Sequence, residues 1–155
     1  VMGHLLGGFT VLSGLFLLYL RLTPYSISGG DVGMRDFAKY PVVGIVILTC
    51  QIALGGWTSA NYAALACTEL PICEGNWYQR LDFGGAFSIP EADNYEFGAH
   101  DYAERMTMHI VHRVGALITF FSLCWLGIRL YVAANSRLLT NVSVLMVTVL
   151  SVPLI

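Results

Sequence analysis

An all-α, polytopic bundle of transmembrane helices is the fold class this sequence predicts, and three observations predict it. Of the 155 residues, 56% are hydrophobic and only 12% charged, with a mean hydropathy of +0.67, which excludes an ordinary soluble domain. The apolar residues gather into four runs of membrane-spanning or near-spanning length, separated by polar connections. The period-2 alternation of a membrane barrel is absent, which leaves helices, because a segment in hydrocarbon must bond its own backbone groups.

The first run, Val1–Leu22, is long enough to cross roughly 30 Å of hydrocarbon at 1.5 Å per residue. It has no basic leading region and no small-residue cleavage site, so it reads as a span rather than a signal peptide. The second, Tyr40–Ser59, places Pro41 near its first turn, where a missing N–H is tolerated. The third is Arg105–Val132, and Leu138–Ile155 begins a fourth that is still apolar at its last residue. The chain is therefore expected to be a piece of a longer protein, cut at both ends. Gly7, Gly8, Gly14, Gly44, Gly55 and Gly56 are expected to let helices approach closely.

Charge orients these helices. The connection at 23–39 carries Arg35 and Lys39, with Arg21 at its edge, and the short connection before the fourth run carries Arg137. The long connection at 60–104 holds one base, Arg80, against Glu69, Glu74, Asp82, Glu91, Asp93, Glu96, Asp101 and Glu104. Positive residues mark the cytoplasmic side, so loop 60–104 is expected on the outer face. A net charge of −2 spread along loops excludes a nucleic-acid footprint.

Cys67 and Cys73 lie in that outer loop, in a compartment that favours disulfides. A turn through Pro71 closes a small ring, worth roughly 2 kcal/mol in the loop-entropy model. The bridge is expected to be structural, with a redox-active pair as the alternative. A C-x-x-C metal spacing is lacking. Cys50 and Cys124 fall in apolar helices and read as small buried hydrophobes.

The run Met108-His109-Ile110-Val111-His112-Arg113 lies inside the third span. Ionisable groups at membrane depth are unfavourable, about 2.5–3.5 kcal/mol each for the charged types on insertion scales, and usually functional. Helical spacing puts His109 and His112 on one face, with Arg113 about 100° round the axis. Imidazole is a common axial ligand of heme iron. A polar contact to a neighbouring helix is the plainer alternative. His4 is expected near the outer end of the first helix, at a depth similar to His112. His100, beside Asp101 in the acidic loop, reads as a solvated surface histidine.

The run from Gln51 through Gly55-Gly56-Trp57 to Cys67, then Pro71-Ile72-Cys73-Glu74-Gly75 with Asn76-Trp77, resembles the heme A synthase family. The later Asp82-Phe83 and Ala86-Phe87 pairs and the His109-x-x-His112-Arg113 motif fit its second half, so the resemblance covers nearly the whole chain. It implies an eight-helix protein of two similar four-helix halves, in a bacterial inner membrane. Residues 1–22 then close the first half, 23–39 form a cytoplasmic loop, and 40–155 supply most of the second-half bundle with a truncated last helix.

By the same resemblance, His112 matches the second-half heme b ligand, and His4 matches a first-half ligand at the substrate heme, giving it the catalytic assignment. His109 stands three before the ligand as a supporting residue, and Arg113 is placed to pair with a heme propionate. The two iron ligands then serve different hemes, each with its partner outside this chain. The implied reaction oxidises a ring methyl of heme O to the formyl group of heme A. Heme b is the expected cofactor and heme O the substrate. Membrane lipid is expected around the helices, and heme O synthase or a second copy as protein partner. Other classes weighed against it are a membrane thiol–disulfide oxidoreductase, a di-heme electron-transfer protein and a purely structural bundle. The six-residue cysteine spacing argues against the first, and the histidines against the last.

Overall fold

The computed structural model describes residues 2–24, 34–67, 73, 75–91 and 98–151. Glu69, Pro71, Glu74, Asp93, Glu96 and the terminal stretch 152–155 lie outside them. The fold is all-α. Helix α1 is Met2–Leu22, a short α2 is Met34–Phe37, and α3 is Lys39–Ala60. After 3₁₀ turns at Ala63–Ala66 and Trp77–Gln79 comes the one-turn α4, Phe83–Ala86, then α5, Tyr102–Ala133, and α6, Arg137–Ser151. Three of these, α1, α3 and α5, are long and apolar enough to cross a membrane.

Helix α5 begins at Tyr102, three residues earlier than hydropathy alone places it. The reason is a reciprocal cap. Asp101 Oδ1 accepts from the Glu104 amide at 2.9 Å, and Glu104 Oε2 accepts from the Asp101 amide at 3.1 Å. This capping box satisfies two backbone donors that the helix end cannot bond itself. At 32 residues α5 is about 48 Å long, well beyond a 30 Å hydrocarbon layer, so its polar first turns need not enter it.

The chain forms two compact units, Val1–Gly8 with Cys50–Ala116, and Phe9–Thr49 with Leu117–Ile155. In the first unit, Ala63, Ala86 and Met108 pack with Trp57, and Cys67, Cys73 and Met106 pack with Trp77 and Ile110. The short α4 is tied at both ends. Trp57 Nε1 donates to the Ala86 carbonyl at 2.9 Å, and the Asp82 amide donates to the fully buried Thr107 hydroxyl at 2.9 Å. Asp82 also caps α4 through the Gly85 amide. Gly98 sits at φ +84, and a Cβ there would lie 3.0 Å from the Asn61 carbonyl oxygen, so both backbone angle and space require glycine.

In the second unit Tyr40 meets the edge of Trp125 at 5.6 Å, and Gly44 accepts the Leu126 and Leu123 side chains. Gly127 receives Val147 of α6.

Two expectations about small residues change. Gly7, Gly8 and Gly14 of α1 face open space, with nothing within 4 Å, whereas Gly44, Gly55 and Gly56 make the close contacts. Cys50 is exposed and Cys124 half-buried, so neither is a buried core residue. Hydropathy marks a helix as apolar without saying which side meets protein and which meets lipid. Cys67 and Cys73 are disulfide-bonded, with Cα atoms 4.9 Å apart, and both are buried. In membranes, a water-soluble maleimide is expected to label Cys67 and Cys73 only after reduction, while Cys50 and Cys124 respond equally with and without reductant; mass spectrometry of the labelled peptides reads the outcome, and equal labelling of Cys67 in both states would contradict the bridge.

Candidate functional site

The candidate site is built where α3 and α5 meet in the first unit. His112 is half-buried on α5, and its Nδ1 lies 3.0 Å from Gln51 Nε2 of α3. The same Gln51 nitrogen donates to the His112 carbonyl at 3.1 Å. Gly55 leaves room for the ring: a Cβ there would stand 3.1 Å from His112 Cε1. Gly115 leaves room for the amide, since a Cβ there would run into Gln51 Oε1.

One turn nearer the start of α5, the half-buried His109 ring is hydrogen-bonded to the Ala63 backbone. Its Nδ1 is buried without a hydrogen-bond partner among the described residues. Arg113 reaches the Cys67 carbonyl through Nη2 at 3.5 Å, a long contact that links α5 to the disulfide. The structure thus brings His109, His112, Arg113 and Cys67 around the stretch that leaves α3. His4 stands instead on an exposed part of α1.

His100 corrects the sequence expectation. It is 5% exposed rather than solvated, with Nδ1 2.8 Å from Glu104 Oε2 and its ring 6.3 Å from Trp57. The carboxylate that closes the α5 cap therefore also holds this imidazole, and a buried polar ring with a partner is tolerated. The signal was present, since Glu104 is four residues on. Gln51 was missed as a site residue because an amide at membrane depth usually serves as helix contact.

The donor set suits a heme ligand better than a protein-only metal centre. Among the described residues no three His, Cys, Asp or Glu side chains gather to hold an ion. His112 has Nδ1 bonded to Gln51, which fixes the ring against α3. An axial heme ligand needs a ring held in place by neighbouring protein groups.

A family profile described as cytochrome oxidase assembly protein matches residues 1–155. The chain belongs to this family, COX15-CtaA. Within it, the curated heme A synthase of Shewanella oneidensis is 50% identical over 142 residues, covering 90% of this chain and 43% of that protein. This family member therefore spans less than half the length of that relative. No solved structure matches it. Its three long apolar helices make it a multi-pass membrane protein.

Because Glu104 serves the cap and His100 together, Glu104→Ala is expected to destabilise the protein by about 1–3 kcal/mol. Glu104→Gln, which keeps one acceptor, should cost less. Thermal unfolding of the detergent-solubilised full-length protein measures both, and equal midpoints for parent and Glu104→Ala would contradict the dual role.

Proposed function

We propose that this chain is part of a heme A synthase-like membrane oxidoreductase that converts the ring methyl of heme O to the formyl group of heme A. The observation that carries the reading is the His112 ring, anchored at Nδ1 by Gln51, in a chain 50% identical over 142 residues to a heme A synthase. Residues 1–22 close the first half, 23–39 form a cytoplasmic loop, and 40–155 carry mainly the heme b-binding half. The membrane is the bacterial inner membrane, with loop 60–104 on the outer face.

His112 holds heme b iron, and His4 holds the substrate heme. The bound heme supplies the redox and oxygen chemistry. The chain's residues do the positioning. Gln51 fixes the His112 ring, and His109 lines the same helix face, its ring held against Ala63. Arg113 offers a planar two-pronged donor to a propionate while keeping one contact to the Cys67 carbonyl. The disulfide acts as a structural clamp. Cys67 and Cys73 are 6% and 5% exposed, which shelters the sulfurs from thiolate attack and disfavours a thiol-exchange role. Heme O synthase or a second copy is the expected protein partner.

In the full-length protein, His112→Ala is expected to abolish the low-spin heme b spectrum. His109→Ala should leave the bands present but shifted or weakened. Retained heme in the first variant with loss in the second would reverse the assignment. The 155-residue chain by itself is expected to bind little heme and to form no heme A, because the partner of each ligand belongs to the remainder of the protein. Pigment extraction and chromatography after incubation with heme O measure this, and turnover by the chain alone would refute the two-half arrangement.

A further inference from the structure

A polar atom buried in a helix pair is unfavourable unless it is bonded. The first unit holds two such atoms without a hydrogen-bond partner among the described residues, Gln51 Oε1 and His109 Nδ1. Gln51 is the more telling, because its other amide end is fully engaged, with Nε2 3.0 Å from His112 Nδ1 and 3.1 Å from the His112 carbonyl. The fit is reciprocal. Gly55, one turn after Gln51 on α3, makes the space for the His112 ring of α5, and Gly115, three residues after His112, makes the space for the Gln51 amide. Each helix carries one polar side chain and one notch, and each notch receives the other helix's side chain.

We infer that Gln51 is a positioning residue for His112: it sets the rotation of the imidazole by holding the ring and the backbone of the same residue. The inference rests on the proposed role of His112 as an iron ligand. Groups bonded to a metal-binding imidazole orient its ring. The Gln51 amide nitrogen is bonded at once to the ring and to the backbone carbonyl of His112, so the ring cannot turn without giving up part of that grip. The alternative is that Gln51 only joins two helices.

The test uses the full-length protein carrying Gln51→Glu, Gln51→Leu or His112→Ala. It reads heme affinity and the electron paramagnetic resonance line shape of the low-spin heme. Gln51→Glu sets a carboxylate oxygen against the His112 carbonyl and loses that bond, and Gln51→Leu loses both contacts; in each the low-spin line broadens as the ring is freed, and in Gln51→Leu heme affinity falls about 10-fold or more. Gly115→Ala, whose methyl meets the amide oxygen, is expected to broaden the line as Gln51→Leu does, and it keeps the question open to test if the leucine variant does not accumulate. Unchanged line shape in the Gln51 variants, with heme lost in His112→Ala, would overturn the positioning role and leave the ligand assignment standing. Retention of the low-spin heme in His112→Ala would overturn both.

Discussion

The close approach of α3 and α5 in the first unit is the constraint on which the rest of that unit depends. It is made by small residues facing large polar ones, Gly55 against His112 and Gly115 against Gln51. In hydrocarbon no hydrophobic drive brings apolar helices together, so van der Waals fit and interhelical hydrogen bonds must do it. The two contacts supply both. Once α3 and α5 are in register, Trp57 reaches the Ala86 carbonyl, Thr107 meets the Asp82 amide, and Arg113 comes beneath Cys67. The short α4 and the disulfide are then held from two helices at once.

A second polar network governs the end of α5. Glu104 Oε2 accepts from the Asp101 amide and binds His100, while a Cβ at Gly85 would meet the Glu104 carboxylate. One side chain thereby closes the helix, buries a histidine and abuts α4. Three acids of the long connection, Asp82, Asp101 and Glu104, are structural caps.

The helices were legible because hydropathy over twenty residues is a strong signal. The bounds of α1 and α3 agree with it within a residue or two. The start of α5 was not legible from hydropathy, although Asp101-x-x-Glu104 spells a capping box for a reader attending to caps rather than apolar runs. The cysteine bridge followed from loop chemistry, and the His109–His112 face from helical periodicity. What sequence reasoning could not supply was the partner side of each element. The glycines of α1 and those of α3 look alike along the chain, but only the latter meet a neighbour. Likewise Gln51 owes its meaning to a group that another element brings to it, 61 residues away.

The charged cap at the head of α5 has a mechanical effect as well. A cluster of Asp101, Glu104 and His100 resists entry into hydrocarbon far more strongly than the apolar turns behind it. A helix about 48 Å long in a layer near 30 Å would otherwise be free to slide along the membrane normal. The cap acts as a stop collar. It pins the helix vertically, and with His112 eleven positions after Asp101 it sets the imidazole about 16 Å below the collar. The depth of that ring in the bilayer is thus gauged from the water side, by residues that never touch it.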